Sequence, residues 1–289
     1  MTRLSMDPRA RTPLVLLAAA AAAAGLLATS VDAASATSTA STASTAKAAS
    51  PQRAKPTVVL VHGAFADSSS WNGVIKKLKK DGYPVVAAAN PLRSLSGDAA
   101  SVKSVLAAVD GPVVLAAHSY GGAVISNAAR GSDKVKALVY TDAFLPDKGE
   151  SADDLAGKFP GSVIGQVLRP VPITNPDGSK DVDLSIDQSQ FRQAFGADVP
   201  AGTAGLMAVT QRPGTGTALH EPSGEPAWKT IPSWALVGTD DRIIPPKLQV
   251  WMAERAHAHI ATVRSSHAVT VSHPDAVARV IEQAVRTVR

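Results

Sequence analysis

Val113-Val114-Leu115-Ala116-Ala117-His118-Ser119-Tyr120-Gly121-Gly122 is the stretch on which the fold turns. An apolar, β-branched run leads into a serine flanked by small residues, and the helix-compatible Ala123-Val124-Ile125-Ser126-Asn127-Ala128-Ala129 follows. A buried strand that bends sharply into a helix reads this way, with one hydroxyl at the apex. The small neighbours matter because the apex serine must hold a strained backbone conformation, its side chain lifted off the sheet. The usual spelling of such a turn is G-x-S-x-G, and Ala117 stands at its first glycine. Alanine is the least intrusive replacement. A Gly-rich strand-to-helix turn with a capping serine is the bland alternative.

A serine hydroxyl is a poor nucleophile until a base takes its proton, and the base needs an acid to hold its tautomer. Both partners have candidates downstream. The segment from Ile231 to Pro245 reads as a second buried strand ending in the acidic pair Asp240-Asp241. Ala258–Val263 is a short strand, and Arg264-Ser265-Ser266-His267 is the loop after it. Serine, acid and histidine therefore fall just past the C-terminal ends of successive strands, where open parallel sheets place their ligand crevices. Asp240 and Asp241 compete for one role, since only one of two adjacent side chains points at the histidine. His267 competes with His273, but Ser272-His273-Pro274-Asp275 has the spelling of a helix start, which puts His273 at the N-terminus of the last helix. His257 and His259 belong to a helix end and the following strand, and His220 to a Pro/Gly-rich surface segment. An oxyanion formed by attack on a carbonyl calls for two preorganised N–H donors. Tyr120, directly after the serine, offers one. The loop after the strand at 57–62 offers the other, from Ala64 in preference to Phe65, with Gly63 allowing a tight turn and His62 bracing the loop.

Around these loops the pattern alternates regularly. Strands are expected at 57–62, 84–89, 113–118, 135–141, 232–238 and 259–263. Helices are expected near 70–81, 98–109, 120–130, 246–257 and 274–288. Such alternation implies an α/β fold, a mainly parallel sheet with helices on both faces. Residues 147–230 interrupt it with eight prolines and short helical stretches near 151–158, 187–196 and 202–211. Long structureless loops are rare in compact domains, so a cap over the crevice is the better reading. Phe65, Phe144, Leu145, Met207 and Trp228 are candidates for lining a substrate pocket, against ordinary packing of cap on core.

The N-terminus reads separately. Arg3, Arg9 and Arg11 precede an apolar run from Leu14 to Ala28, and Val31-Asp32-Ala33 offers a small-x-Ala cleavage pattern. That is a Sec-type signal over 1–33, and its run is short of the ~20 residues a spanning helix needs. A secreted chain without stable membrane insertion is the expectation, with an uncleaved anchor as the alternative. Residues 34–56 are Ala/Ser/Thr-rich and read as a disordered tether before one domain at 57–289. The chain has no cysteine, so its stability comes from core packing alone. Removing the three arginines and two aspartates of residues 1–33 takes the net charge from +5 to +4. That charge is modest and dispersed, so nucleic acid is not an expected partner. The lysines at 76, 77, 79 and 80 are read as a solvated helix face. Neither a phosphate loop nor a metal-ligand spacing stands out, and neither metal nor cofactor is expected.

With these residues in view, the chain resembles the α/β-hydrolase superfamily, and especially its branch of plant methylesterases and hydroxynitrile lyases. The likeness rests on Val61-His62-Gly63-Ala64, Trp71, the Ser119 turn and Ala143-Phe144-Leu145-Pro146-Asp147. It runs through nearly all of 57–289 and is weakest in the middle third. The resemblance implies a triad of Ser119, Asp241 and His267, because in similar sequences the acid is the third residue after the strand-ending glycine, here Gly238. It also implies cleavage of small to medium carboxylic esters through an acyl-enzyme. The lyases carry Thr and Lys where this chain has Gly63 and Ala268, which favours ester hydrolysis over cyanohydrin cleavage. Cofactor-free C–C bond chemistry on the same triad, or a non-catalytic ligand-binding homologue, are the alternatives.

Overall fold

β1 (Thr57–Val61), α1 (Asn72–Lys80), β2 (Val85–Ala88), α2 (Leu95–Ala108), β3 (Val113–Ser119), α3 (Gly121–Ala128) and β4 (Val135–Ala143) follow one another in the expected alternation. These come from a computed structural model that describes residues 55–288, so the segment read as a signal and nearly all of the tether lie outside the described residues. The alternation resumes later with β8 (Ser233–Gly238), α9 (Pro246–Arg255), β9 (His259–Val263), α10 (Val269–Ser272) and α11 (Pro274–Thr287). The six strands form one sheet in the order β2-β1-β3-β4-β8-β9, parallel throughout.

The strands are apolar on both sides because both sides are covered. Val58 and Leu60 of β1, with Val114 and Ala116 of β3, pack against Val74 and Leu78 of α1 and Val277 and Ile281 of α11. Their neighbours Val59, Val61, Val113 and Leu115 face the opposite layer, with Leu106 of α2, Val124 of α3 and Leu248 of α9. The period of two in the strands thus feeds two cores at once. α11 shows the matching helical period: Val277, Val280, Ile281, Ala284 and Val285 are buried while Arg279, Gln283 and Arg286 face solvent. Burying each such aliphatic side chain stabilises the fold by about 1.5–3 kcal/mol before entropy is counted.

The segment between β4 and β8 has helices on the three stretches expected of it, near 151–158, 187–196 and 202–211, and adds elements the sequence reading did not include. It carries the short helices α4 (Ala152–Ala156), α5 (Ile164–Val167), α6 (Gln188–Phe195), α7 (Ala201–Thr210) and α8 (Gly216–His220). It also builds a second sheet from β5 (Leu168–Thr174), β6 (Lys180–Ile186) and β7 (Gly214–Thr215), antiparallel in that order. Proline cannot donate to a strand ladder, so Pro170 and Pro172 are unusual residues for a strand. They are tolerated because β5 is the edge of its sheet, where a missing N–H leaves no ladder bond unmade. Asn175-Pro176-Asp177-Gly178 closes the β5–β6 hairpin with Gly178 at φ 86°, a turn spelling that is visible in the sequence.

Candidate active site

The chain leaves β1 toward β2 on one side and returns to β3 on the other, so the C-terminal ends of β1 and β3 flank a crevice at the switch in strand order. Ser119 ends β3 with φ 56°, a left-handed conformation rare outside glycine, as its place at a sharp strand-to-helix turn requires. Its Oγ lies 2.9 Å from His267 Nε2. His267 Nδ1 lies 2.8 Å from Asp241 Oδ2. A carboxylate only accepts, so Nδ1 carries the ring proton and Nε2 is left to accept from the serine hydroxyl. All three residues are buried, and Ser119 retains only 5% of its surface in contact with solvent.

Each partner is fixed by its own supports. Asp241 Oδ1 accepts the Ile243 and Ile244 N–H groups at 2.8 and 3.0 Å, and Oδ2 accepts from Gln249 Nε2 at 2.8 Å. Asp240 turns outward to an exposed pair with Arg264. His267 is held on three sides. His118 Nε2 donates to its carbonyl at 2.8 Å, the His118 ring packs 4.7 Å from its own, and Phe195 of α6 meets it edge-on at 4.8 Å. Burial, and then the neighbouring His267, hold the His118 ring well below the usual histidine range. Ser266, next to His267, donates to Asp198 of the cap, which also faces His273.

The loop after β1 meets the serine closely. A Cβ on Gly63 would lie 2.5 Å from Ser119 Cβ and 3.2 Å from its Oγ, so glycine is required for contact with the elbow, the sharp strand-to-helix turn at Ser119. The left-handed turn itself falls on Phe65, at φ 62°, and not on Gly63 as the sequence suggested. Phe65 N–H donates to the Arg212 carbonyl at 2.9 Å, which occupies that amide and leaves Ala64 as the loop's candidate donor. His62 braces the loop: Nδ1–H donates to Gly63 O, and Nε2 accepts the Asn90 N–H. Its burial lowers its pKa. Tyr120, which caps α3, is anchored by its hydroxyl donating to Asp98 at 2.9 Å.

Of the candidate pocket residues, Phe65 and Met207 share a cavity of about 310 Å³ with Ser69, Ser70, Leu206, Gln211 and Val271. Phe144 and Leu145 are buried in the core beside the elbow. Trp228 is not brought to that cavity. Its Nε1 donates to the Pro146 carbonyl, and its ring lines a separate depression with Pro232, Ser233 and Arg255. Gln249 and Asp142 escaped the sequence reading, because neither carries a local pattern that points at Asp241. Asp142, Asp241 and His267 each offer a ligating atom within 4.8 Å of the others, but His267 Nδ1 and Asp241 are already bonded to one another.

A profile described as the alpha/beta hydrolase family matches residues 58–280. The chain belongs to that family. The alpha/beta hydrolase nvfD of Aspergillus novofumigatus is 28% identical over 253 residues, which is 80% of this chain and 96% of that one. Methylesterase 8 of Arabidopsis thaliana is 25% identical over 231 residues, 71% of this chain and 79% of its own. Among solved structures, polyneuridine aldehyde esterase superposes with a TM-score of 0.68 at 19% identity, covering 79% of this chain and 98% of that chain, a likeness of fold. The relatives of this α/β hydrolase are thus hydrolases and esterases, the methylesterase branch among them.

Proposed function

We propose that this α/β hydrolase is a serine esterase that cleaves small to medium carboxylic esters. The observation that carries the reading is the hydrogen-bonded chain from Ser119 Oγ through His267 to Asp241, at 2.9 and 2.8 Å. Ser119 Oγ attacks the ester carbonyl as its proton passes to His267 Nε2, and Asp241 stabilises the imidazolium. The Ala64 and Tyr120 N–H groups hold the oxyanion, each such donor lowering the barrier by about 2.7–4 kcal/mol. Collapse breaks the bond to the alkoxide, which takes the proton from Nε2 and leaves the acyl group on Ser119. Water then gives its proton to His267 and its oxygen to the acyl carbon, releasing the acid and restoring the serine. The cavity beside Phe65 and Met207 adjoins the loop that carries Ala64 but is not lined by Ser119, Asp241 or His267; with a polar wall at Asp67, Ser69 and Ser70 and an apolar one at Leu206, it suits the far end of a compact ester.

A fluorophosphonate probe and a panel of esters of graded chain length test this reading together. The expected result is covalent labelling at Ser119 and turnover of the shorter esters. Absence of both labelling and turnover overturns it.

The N-terminal pattern supports export as a second part of the proposal. Expression of the full chain in a Sec-competent host should yield a soluble extracellular protein whose N-terminus lies just after Ala33. Full-length protein retained in the membrane fraction overturns that part.

A further inference from the structure

Asp142 has no step in the proposed cycle, yet the fold aims it with care. β3 and β4 pair His118 with Thr141 and then Ser119 with Ala143, so Asp142 is the extra residue of a bulge. Its φ of 44° places an aspartate in the left-handed region. Bulges re-aim side chains beside active sites, and such backbone strain costs on the order of 1 kcal/mol or more. The carboxyl it aims is fully buried. Oδ1 accepts the Gly238 N–H at 2.5 Å, while Oδ2 has no hydrogen-bond partner among the described residues. Gly238 makes the room: a Cβ there would sit 2.8 and 2.9 Å from the two carboxyl oxygens and 2.7 Å from Ser265 Oγ.

The groups facing Asp142 come from every neighbouring element. Asp241 approaches from the loop after β8, Gln249 from α9, His267 and Ser265 from the loop after β9, and Asp198 from the cap, while on β3 His118 pairs with Thr141 just before the bulge. None of these is a lysine or an arginine. One imidazole cannot neutralise two carboxylates in a dry site, so one carboxyl must keep its proton. The donors decide which. Asp241 accepts from Ile243, Ile244, Gln249 and His267, whereas Asp142 accepts the Gly238 N–H, and the Gln249 amide that also faces it is already bonded to Asp241 and Ile244.

We propose that Asp142 is a positioning residue held as a neutral carboxylic acid behind the Asp241–His267 pair, its proton on Oδ2, so that one negative charge faces His267. Burial and the charge of Asp241 both push the Asp142 carboxyl well above the usual carboxylate range, in keeping with this geometry. Ionising Asp142 adds a second charge within 4.8 Å of the imidazole and Asp241. The imidazolium is then overstabilised, and return of its proton to the leaving group slows. The effect on rate rests on the esterase reading above. The protonation state does not.

Infrared difference spectroscopy separates the two. A protonated-carboxyl C=O stretching band should be present near pH 7 in the parent and in Ser119→Ala, and missing from Asp142→Asn. In ester turnover, Asp142→Ala should lower kcat by roughly tenfold or more through misplacement of His267. Asp142→Asn, which keeps the neutral shape, should restore most of that rate and remove a decline on the alkaline side of the pH profile. Because the Ser119→Ala spectrum needs no turnover, it reads the proton on Asp142 even if no ester is cleaved. The proposal is overturned if the parent lacks the band, if Asp142→Asn keeps it, or if Asp142→Asn loses as much activity as Asp241→Asn.

Discussion

Gly63 and Ser119 meet so closely that the smallest side chain at 63 would lie 2.5 Å from the Ser119 Cβ. Real Cβ atoms do not approach carbon at that distance, so the loop after β1 and the turn after β3 fit only with glycine between them. Gly63→Ala should therefore force the elbow outward. Overpacking of this kind costs about 1–3 kcal/mol. A 1 Å displacement of a reacting atom costs on the order of 10²-fold in rate. Thermal melting and ester turnover of the purified variant should both fall, activity far more than stability. Turnover at the parent rate would show that the loop yields without moving the serine.

If the proposed triad acts as a unit, Ser119→Ala should reduce kcat by about 10³-fold or more with the fold intact. The methyl group fits a site where the hydroxyl has one partner, His267 Nε2. Circular dichroism and the melting profile should match the parent. Activity retained in this variant removes Ser119 from the mechanism.

The two adjacent aspartates give a sharper comparison. Asp241 is buried among four donors, and Asp240 is over half exposed beside Arg264. Asp241→Asn should lose about 10²–10⁴ in kcat, since an amide favours the wrong histidine tautomer. Asp240→Asn removes an exposed ion pair worth at most about 1 kcal/mol and should stay within a few-fold of the parent. One ester and two variants decide it, and the reverse ranking assigns the acid to Asp240.

Much of this site is legible in the chain because its parts are local. Ser119 announces itself through the apolar run before it and the glycines after it, and each partner loop through the strand it terminates. The choice between Asp240 and Asp241 was open on residue pattern alone, and became visible once Ile243, Ile244 and Gln249 were seen to converge on one carboxylate. Gln249 lies one helix away, and Phe195 belongs to the cap, so no periodicity links either to His267. The cap sheet was missed for a different reason. Pro170 and Pro172 sit where a strand is ordinarily disfavoured, and only the sheet's strand order shows that β5 is an edge. Asp142 was hidden most deeply, since a bulge depends on how two strands pair and not on either strand alone.

Acid stability should report the buried histidines. Burial lowers the pKa of both His62 and His118, so both rings are neutral in the folded chain. The unfolded chain takes up their protons below about pH 6.5, so the folded state loses stability as pH falls. Each ring contributes a slope of up to about 1.4 kcal/mol per pH unit. Asp142 has the opposite sign: its raised pKa gives stability that is lost as pH rises above the unfolded value near 3.9. Comparing His118→Gln with the parent cancels that term. Denaturant titrations between about pH 7 and pH 5 should show a shallower decline in the variant. Equal slopes would mean that His118 is protonated within the fold.

Phe195 joins the cap to the proposed catalytic histidine. Its ring lies 4.8 Å from that of His267 and 6.0 Å from that of His118, and stacks on Phe191 at 4.9 Å. It is fully buried, so Phe195→Ala leaves a cavity and should cost about 3–5 kcal/mol of stability. At about 2–4 °C per kcal/mol for a domain of this size, the melting temperature should fall by at least several degrees. The kinetic effect follows from which surface the ring covers. It abuts the imidazole, while the cavity holding Phe65 and Met207 is lined by other side chains. A freed imidazole spends less time aligned between Asp241 and Ser119, so kcat should fall while KM moves little. Phe195→Leu fills most of the lost volume and should recover stability more fully than kcat, because it lacks the flat edge that fixes the ring. Steady-state kinetics and melting of both variants provide the measurement. A rise in KM with kcat unchanged would instead make Phe195 a wall of the substrate pocket.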